Sequence, residues 1–330
     1  DVTDRYEWFY RQNPHGKAVS WIAQDEASGS VDAVTSVFPR RVHVDGVQRL
    51  GSIGGDAYVA PRARRQGLAT RLHAASRADM GPGTIEFMYG VPLIHNLKAL
   101  LRAGTSEVSV FRRYVRPLTR DFVTPRIRAR TPTWLERAIP DTLMDRVGDG
   151  AIAVLNRKDR RTEGAFAVDE ATEFGDEWDE WEAANAPATG VCCVRDSAYL
   201  SFSYTPEKRK NQTPYFVRRD GELFGMFTLQ SASDGKDAIA VDVICAHDDE
   251  RFRTMLSLMT GKAMGDGFQS LSLNMTPYRN LPTVLKDAGF IERPVDESSV
   301  FQVLSPDLGH PATDLEQSEG WYFQHGDQDL

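Results

Sequence analysis

The chain has 330 residues, about twice the ~150 residues that serve as a prior for one domain, so two domains are expected. Its composition, 41% hydrophobic and 26% charged, is that of an ordinary globular protein, and no apolar run reaches the ~18–20 residues of a membrane span, so no membrane partner is expected. The net charge of −8 is unevenly distributed: residues 1–120 hold 17 Lys and Arg against 11 Asp and Glu, a balance of +6, whereas residues 121–330 hold 22 against 36, a balance of −14. Nucleic acid is excluded as a partner by this acidic balance and by the crowding of basic residues at one loop, which suits a small anionic ligand instead.

The opening TDRYEWFYRQNPHG reads as a short helix, with Asp4 and Glu7 spaced as a capping box and Asn13, Pro14 and Gly16 as its stop. Three strand-like runs follow, AVSWIAQ (18–24), SVDAVTSVFPRRVHV (30–44) and GVQRLGSIGGDAYVA (46–60). Ser28-Gly29 and Asp45-Gly46 are turn signals between them, which predicts an antiparallel meander. At Leu68 the apolar period changes, with Leu68, Leu72 and Ala75 on one face of a helix that GPG at 81–83 stops. TIEFMYGVP (84–92) reads as a buried strand, LIHNLKALLRAG (93–104) as a short helix and EVSVFRRYVRPL (107–118) as one closing strand.

Pro125, Pro132 and Pro140 with scattered charge place a linker at 121–160, helical only near TWLERAI. From 161 the element order recurs: strand GAFAVDEA, helices GDEWDEWEAANA and RDSAYLSFSY, strands TPYFVRR, ELFGMFTLQ and DAIAVDVICA, helix DERFRTMLSLMTGKAMG, strand FQSLSLNM, helix PYRNLPTVLKDAG and a final strand. The element order predicts an α+β fold class, with two domains at 1–120 and 161–330. Cys192, Cys193 and Cys245 lack C-x-x-C spacing and read as core thiols, so neither a disulfide framework nor a metal site is expected. No leader pattern opens the chain, and the cytoplasm is the expected location.

The stretch VAPRARRQGLATRLHAA (59–75) carries the strongest chemical signal. A strand that runs through a turn into a helix leaves backbone N–H groups unpaired at the helix start, where the helix dipole adds positive charge. Small residues at Gly67 and Ala69 let those amides approach a pyrophosphate, with Arg64 opening the loop. The strand ending Val59-x-Pro61, the loop and the helix together resemble the GNAT superfamily of N-acyltransferases, whose signature is V-x-P-x-x-R-x-x-G-x-G/A. The resemblance covers residues 1–118 in element order and implies two GNAT-like domains, each a mixed, mostly antiparallel central sheet flanked by helices.

The resemblance implies an N-acetyltransferase or related acyltransferase with acetyl-CoA, or another acyl-CoA, as co-substrate. Val59 would hold the pantetheine arm, and Arg64, Arg65, Gln66, Gly67, Leu68, Ala69 and Thr70 would wrap the pyrophosphate. A strand-bulge N–H near Val59 would face the thioester oxygen. The acceptor would be a primary amine of a small molecule, which is protonated near pH 7 and needs a base to take its proton. Asp56, three residues before Val59, is the expected base, acting directly or through water. The family's usual Asn and its Tyr seven residues later would fall at Leu93 and Leu100, so the usual acid is absent; Tyr89 is the expected substitute, and Asn96 lies one turn late. The family also begins with a strand and helix before the element read here at 3–12.

In the second half the corresponding junction carries Asp248, Asp249 and Glu250, carboxylates that cap a helix and repel a pyrophosphate. That half resembles a GNAT fold without coenzyme binding, a substrate wall or structural partner. The tail WYFQHGDQDL brings Trp321, Tyr322, Asp327 and Asp329; a disordered terminus is the default expectation, and the alternative is a tail that folds back to line the acceptor pocket, where its carboxylates would attract an ammonium group. Two alternatives stay open: a catalytically silent acyl-CoA-binding or scaffold protein, and an N-acyltransferase taking a longer acyl chain from a carrier protein.

Overall fold

The computed structural model describes residues 2–132, 139–156, 166–294, 300–304, 315 and 320–328. The first helix, α1 (Val2–Tyr6), continues as a π turn over Glu7–Arg11. Asp4 lies inside the first turn of α1, so the capping box expected at Asp4 and Glu7 is displaced from the helix start. The π turn sets consecutive aromatic residues onto the sheet: the Phe9 ring sits 4.1 Å from that of Phe38, and Tyr10 meets Phe38 edge-on at 5.1 Å.

The predicted meander forms as β1 (Val19–Gln24), β2 (Val31–Val44) and β3 (Val47–Val59), all antiparallel. Asp45 and Gly46 both take positive φ, 50° and 76°, the turn geometry that matches the twist of two paired strands and that Asp-Gly accepts most readily. Helix α2 (Leu68–Ala78) leads to β4 (Phe87–Gly90), which pairs parallel to β3 only from Gly51–Phe87 to Ile53–Tyr89. A Cβ on Gly51 would stand 2.7 Å from the Phe87 ring, and one on Gly54 2.9 Å from Met88 Sδ, so side chains of β4 lie across the space these glycines leave. Helix α3 (Ile94–Arg102) and β5 (Ser106–Val110) follow.

The predicted closing strand at 107–118 is two strands in two different sheets. After β5 and the buried Phe111, β6 (Arg112–Pro117) joins the second sheet. Within 121–160, expected to be helical only near TWLERAI, the described residues hold two helices instead: α4 (Arg120–Arg128) and α5 (Asp141–Asn156) pack together, and a Cβ on Gly148 would meet Thr124 Oγ1 at 2.9 Å. Pro125 sits within α4 without ending it. The helical patch expected at TWLERAI falls, but for Ile139, outside the described residues.

The second half then supplies β7 (Phe166–Glu170), α6 (Asp176–Asn185), β8 (Val191–Cys193), α7 (Ser197–Ser203), and the meander β9 (Gln212–Arg219), β10 (Glu222–Ser231) and β11 (Asp237–Cys245). Helix α8 (Asp249–Gly265), β12 (Ser270–Met275), α9 (Leu281–Asp287), β13 (Ile291–Arg293), β14 (Val300–Leu304) and β15 (Trp321–Tyr322) complete it. The strand orders are β15-β8-β2-β3-β4-β14-β5, with β1 also on β2, and β13-β6-β12-β11-β10-β9-β7. Both sheets are mixed and mostly antiparallel, and each contains one meander-helix-parallel strand series.

The two halves exchange strands. β6 leaves the first half to lie between β12 and β13, while β14 leaves the second half to lie between β4 and β5. β8 and β15 also join the first sheet, at the edge of β2. Each half thus builds one sheet's meander; the first lends the second sheet β6, and the second lends the first sheet β8, β14 and β15.

The tail is ordered between the sheets through residue 328. Trp321 and Phe323 are fully buried in an aromatic cluster with Tyr89 and Phe301, and Gln324 bridges to Met275 of the second sheet. Asp327 does not line the acceptor side but pairs with Arg195 at 2.6 Å and Arg40 at 3.4 Å; Arg195 in turn holds Asp242 at 3.1 Å, to which Tyr204 donates. Asp329 lies outside the described residues. A buried charge is tolerated only when paired and hydrogen-bonded, so this network ties β2, the segment after β8, β11 and the tail into one arrangement. The three cysteines are free and buried, as read from their spacing.

Candidate active site

Beyond Ile53, β3 keeps its pairing with β2 as far as Val59–Ala33 but has no further pairing with β4. The two strands therefore part, and the gap widens toward Val59. Within that stretch Val34 faces Tyr58 while Ser36 faces Gly55, so Asp56 and Ala57 together oppose Thr35 in a bulge. Asp56 holds φ at 45° there. A bulge removes a residue from the ladder and turns its backbone polar groups away from the partner strand. The sequence placed this feature near Val59; it lies two to three residues earlier.

Past Val59 the chain makes a 3-10 turn, Pro61–Ala63, and Arg65 and Gly67 then take left-handed φ of 62° and 76°. Arg64 folds back to donate from Nε to the Val59 carbonyl at 3.2 Å, which fixes the loop to the strand end. Arg62 turns outward to Asp32 at 2.6 Å and to Ser30 at 2.8 Å. Gln66 donates to the Arg62 carbonyl at 3.4 Å. Gly67 caps α2 with no side-chain hydrogen bond, and nothing lies within 4 Å of where its Cβ would be. The first-turn amides, those of Leu68, Ala69 and Thr70 among them, thus open α2 without a side-chain cap, in the positive end of the helix dipole.

A cavity of about 420 Å³ fills the space where β3 and β4 part. Thr35, Gly54 to Ala57, Met88 to Gly90 and Gln302 form its strand walls, and His73, the segment 91–93, Asn96, Leu100 and Thr105 close it. Asp56 accepts from Tyr10 Oη at 2.7 Å and from Arg5 at 3.2 Å. Burial, together with the Asp56 carboxylate, raises the Tyr10 pKa above its ordinary value. Tyr10 Oη also reaches Ser36 Oγ at 3.4 Å, which in turn contacts Ser20 Oγ at 2.8 Å, so a chain of hydroxyls leads away from Asp56. Tyr89 lines the cavity, but its hydroxyl lies 3.1 Å from Cys193 Sγ, and burial pushes its pKa well above the usual phenol value.

Burial lowers the His73 pKa, partly offset by its contact with Asn96. The neutral ring donates from Nε2 to Asn96 Oδ1 at 3.1 Å. Leu93 is 76% exposed at the start of α3 and Leu100 is buried against Met88, so neither position of the absent Asn–Tyr pair supplies a polar group. In the second half Asp248 caps α8, accepting from Arg251 N at 2.8 Å, and Asp249 accepts from Asn280 at 2.7 Å. The voids beside that junction, around His247, are only about 20 Å³ each.

Of the residues expected from the sequence, Asp56 and Tyr89 line this cavity, while Val59 ends β3 and the Arg64–Thr70 loop leads from it into α2. It adds Tyr10, His73, Thr105 and Gln302, which the sequence reading missed. His73 shares a buried stripe with Leu72 and Ser76 on α2, a position that the helical period locates. Gln302 arrives on an exchanged strand, for which the sequence carries no local signal.

No protein-family model and no curated protein matches the sequence. Solved structures do match in fold. A GCN5-related N-acetyltransferase from Anabaena variabilis is 11% identical with a TM-score of 0.61, over 92% of this chain and 65% of that one. A probable N-acyltransferase from Enterococcus faecalis is 10% identical with a TM-score of 0.57, over 92% and 64%. A GCN5-related N-acetyltransferase from Kribbella flavida is 13% identical with a TM-score of 0.53, over 88% and 60%. The chain therefore has the fold of GCN5-related N-acetyltransferases, and spans less than two thirds of the length of these proteins. Among the described residues no helix is long and apolar enough to cross a membrane.

Proposed function

We propose that this chain, which has the fold of GCN5-related N-acetyltransferases, is an N-acyltransferase that moves an acyl group from acyl-CoA to a primary amine of a small molecule. The observation that carries this reading is the uncapped start of α2, joined by a left-handed loop to the strand that borders the cavity. The empty space at Gly67 and the free first-turn amides fit a pyrophosphate held by backbone. Arg64, Arg65, Gln66 and the amides of Gly67 to Thr70 would hold it, with Val59 and the strand end bordering the pantetheine arm. Acyl-CoA would supply the activated thioester, acetyl-CoA being the simplest such donor.

The chain's own residues then divide the work. The bulge at Asp56–Ala57 presents backbone polar groups to the gap, where an N–H facing a carbonyl oxygen stabilises developing negative charge. Asp56 takes the proton of the attacking ammonium, directly or through water, and Tyr10 and Arg5 fix its carboxylate. Tyr89 was the expected acid; its hydroxyl faces Cys193 and its raised pKa makes it a weak donor, so its proposed part is the cavity wall. The departing thiolate needs little help, since a thiol of pKa ~8.5 is a good leaving group near neutral pH. The second half, with carboxylates at its helix start, acts as a wall and as the source of β14.

The test is release of free thiol from acetyl-CoA and longer acyl-CoAs across a panel of primary amines. Release with at least one pair supports the reading. Binding without release for every pair supports the silent acyl-CoA-binding protein, which the leucines at 93 and 100 favour. Release from an acylated carrier protein alone moves the donor assignment.

A further inference from the structure

The innermost wall of the cavity carries a polar group that the transfer reaction does not use. Gln302 is 3% exposed, lines the cavity, and has both Oε1 and Nε2 without a hydrogen-bond partner among the described residues. Its neighbours on β14, Phe301 and Val303, point to the opposite face, into the aromatic core with Tyr89, Trp321 and Phe323. Gln302 pairs across to Gly90, which has no side chain, so the amide stands beside open space. Two more buried polar atoms on the same cavity are without partners, Thr105 Oγ1 and His73 Nδ1.

Register fixes where this group lies along the gap. Ile53 pairs with Tyr89, so Gly90 is level with Gly54, two residues below the bulge, and Gln302 is level with Gly90. The phosphate loop lies on the other side of the bulge, past Val59. A ligand that enters from the loop and presents its reacting carbonyl at the bulge reaches Gln302 only through what is attached beyond that carbonyl. A carboxamide offers one acceptor and one donor side, and a buried one left unpaired is unfavourable, so the site discriminates against a plain hydrocarbon there.

Resting on the acyl-CoA reading, we infer that the acyl group this protein takes carries a hydrogen-bonding substituent, a hydroxyl or a keto oxygen on a short chain, which Gln302 recognises. Gln302 is a specificity residue, lent by the second half to the first through the exchanged strand. Met88 and Leu100 supply the apolar path along which the chain lies.

The experiment is calorimetric titration of the full chain with free CoA, butyryl-CoA, β-hydroxybutyryl-CoA and acetoacetyl-CoA, repeated on Gln302→Leu and Gln302→Met. The expected result is that at least one of the two oxygenated donors binds about tenfold or more tighter than butyryl-CoA. In both variants that preference falls to within about twofold while free CoA affinity is unchanged, which also shows that the loop is intact. Butyryl-CoA binding as well as both oxygenated donors, or a preference that survives in the variants, overturns the inference and leaves the acyl-CoA reading standing. Failure of free CoA and of every acyl-CoA to bind overturns both.

Discussion

Asp327→Ala removes a carboxylate that faces two buried guanidinium groups, those of Arg40 and Arg195. Its Oδ2 accepts from Arg195 at 2.6 Å and from the Gln324 amide at 2.9 Å, and its Oδ1 from Arg40 at 3.4 Å. After the change Arg195 retains Asp242 at 3.1 Å and Arg40 retains its seat 3.5 Å from the Tyr199 ring centre, but the excess positive charge stays buried. Breaking a buried pair from one side costs about 3–5 kcal/mol, because the partner charge is left uncompensated. At 2–4 °C per kcal/mol for domains somewhat smaller than this chain, that is a fall in Tm of roughly 6–20 °C. Asp327→Asn, which keeps the shape and part of the hydrogen bonding, should fall between the two. Thermal unfolding followed by circular dichroism at pH 7 reads the effect. A fall of less than about 2 °C for the alanine variant would refute the view that the tail locks the two sheets together.

Acid should destabilise the protein through its buried histidines. Burial lowers the His15 pKa to about 4 despite Asp196 nearby, so the unfolded chain binds the extra proton first; stability is full above about pH 6.5 and is lost as pH falls toward 4, by up to about 3 kcal/mol for this one group. Urea midpoints measured across that range should fall less steeply for His15→Gln, and an unchanged slope would contradict the assignment. Asp56→Asn should lower amine-dependent thiol release by about 10²–10⁴-fold while leaving CoA affinity unchanged, a split that turnover and calorimetry measure separately. Equal turnover would remove Asp56 from the proton path.

Local features of the site were legible in the sequence because they are local. The Asp45-Gly46 turn, the change of period at Leu68 and the glycine at the start of α2 each follow from a few consecutive residues, and the structure has all three. The strand exchange was not legible. A run such as EVSVFRRYVRPL has the same alternation whether it forms one strand or two in different sheets, and only the partners available in space separate β5 from β6 at Phe111. For the same reason Gln302 gave no signal, since its place beside Gly90 depends on a pairing more than 200 residues away in sequence. The prolines at 125 and 140 suggested a linker with little helix, yet Pro125 is accommodated inside α4, and Pro140 immediately precedes α5. The tail's default expectation was disorder, whereas its aromatic residues are buried; that Asp327 would be drawn to Arg195 and Arg40 rather than to an acceptor depended on where those arginines came together.

The central claim is that the amides after Val59 grip the diphosphate of an acyl-CoA, and calorimetry on Gly67→Glu tests it most directly. Gly67 has left-handed φ and open space around its Cβ position, so a carboxylate there reaches the anion site without crowding the fold. The account predicts that acetyl-CoA affinity falls about 100-fold or more, through repulsion of the diphosphate and strain at the positive φ. Affinity equal to that of the unsubstituted protein would contradict it.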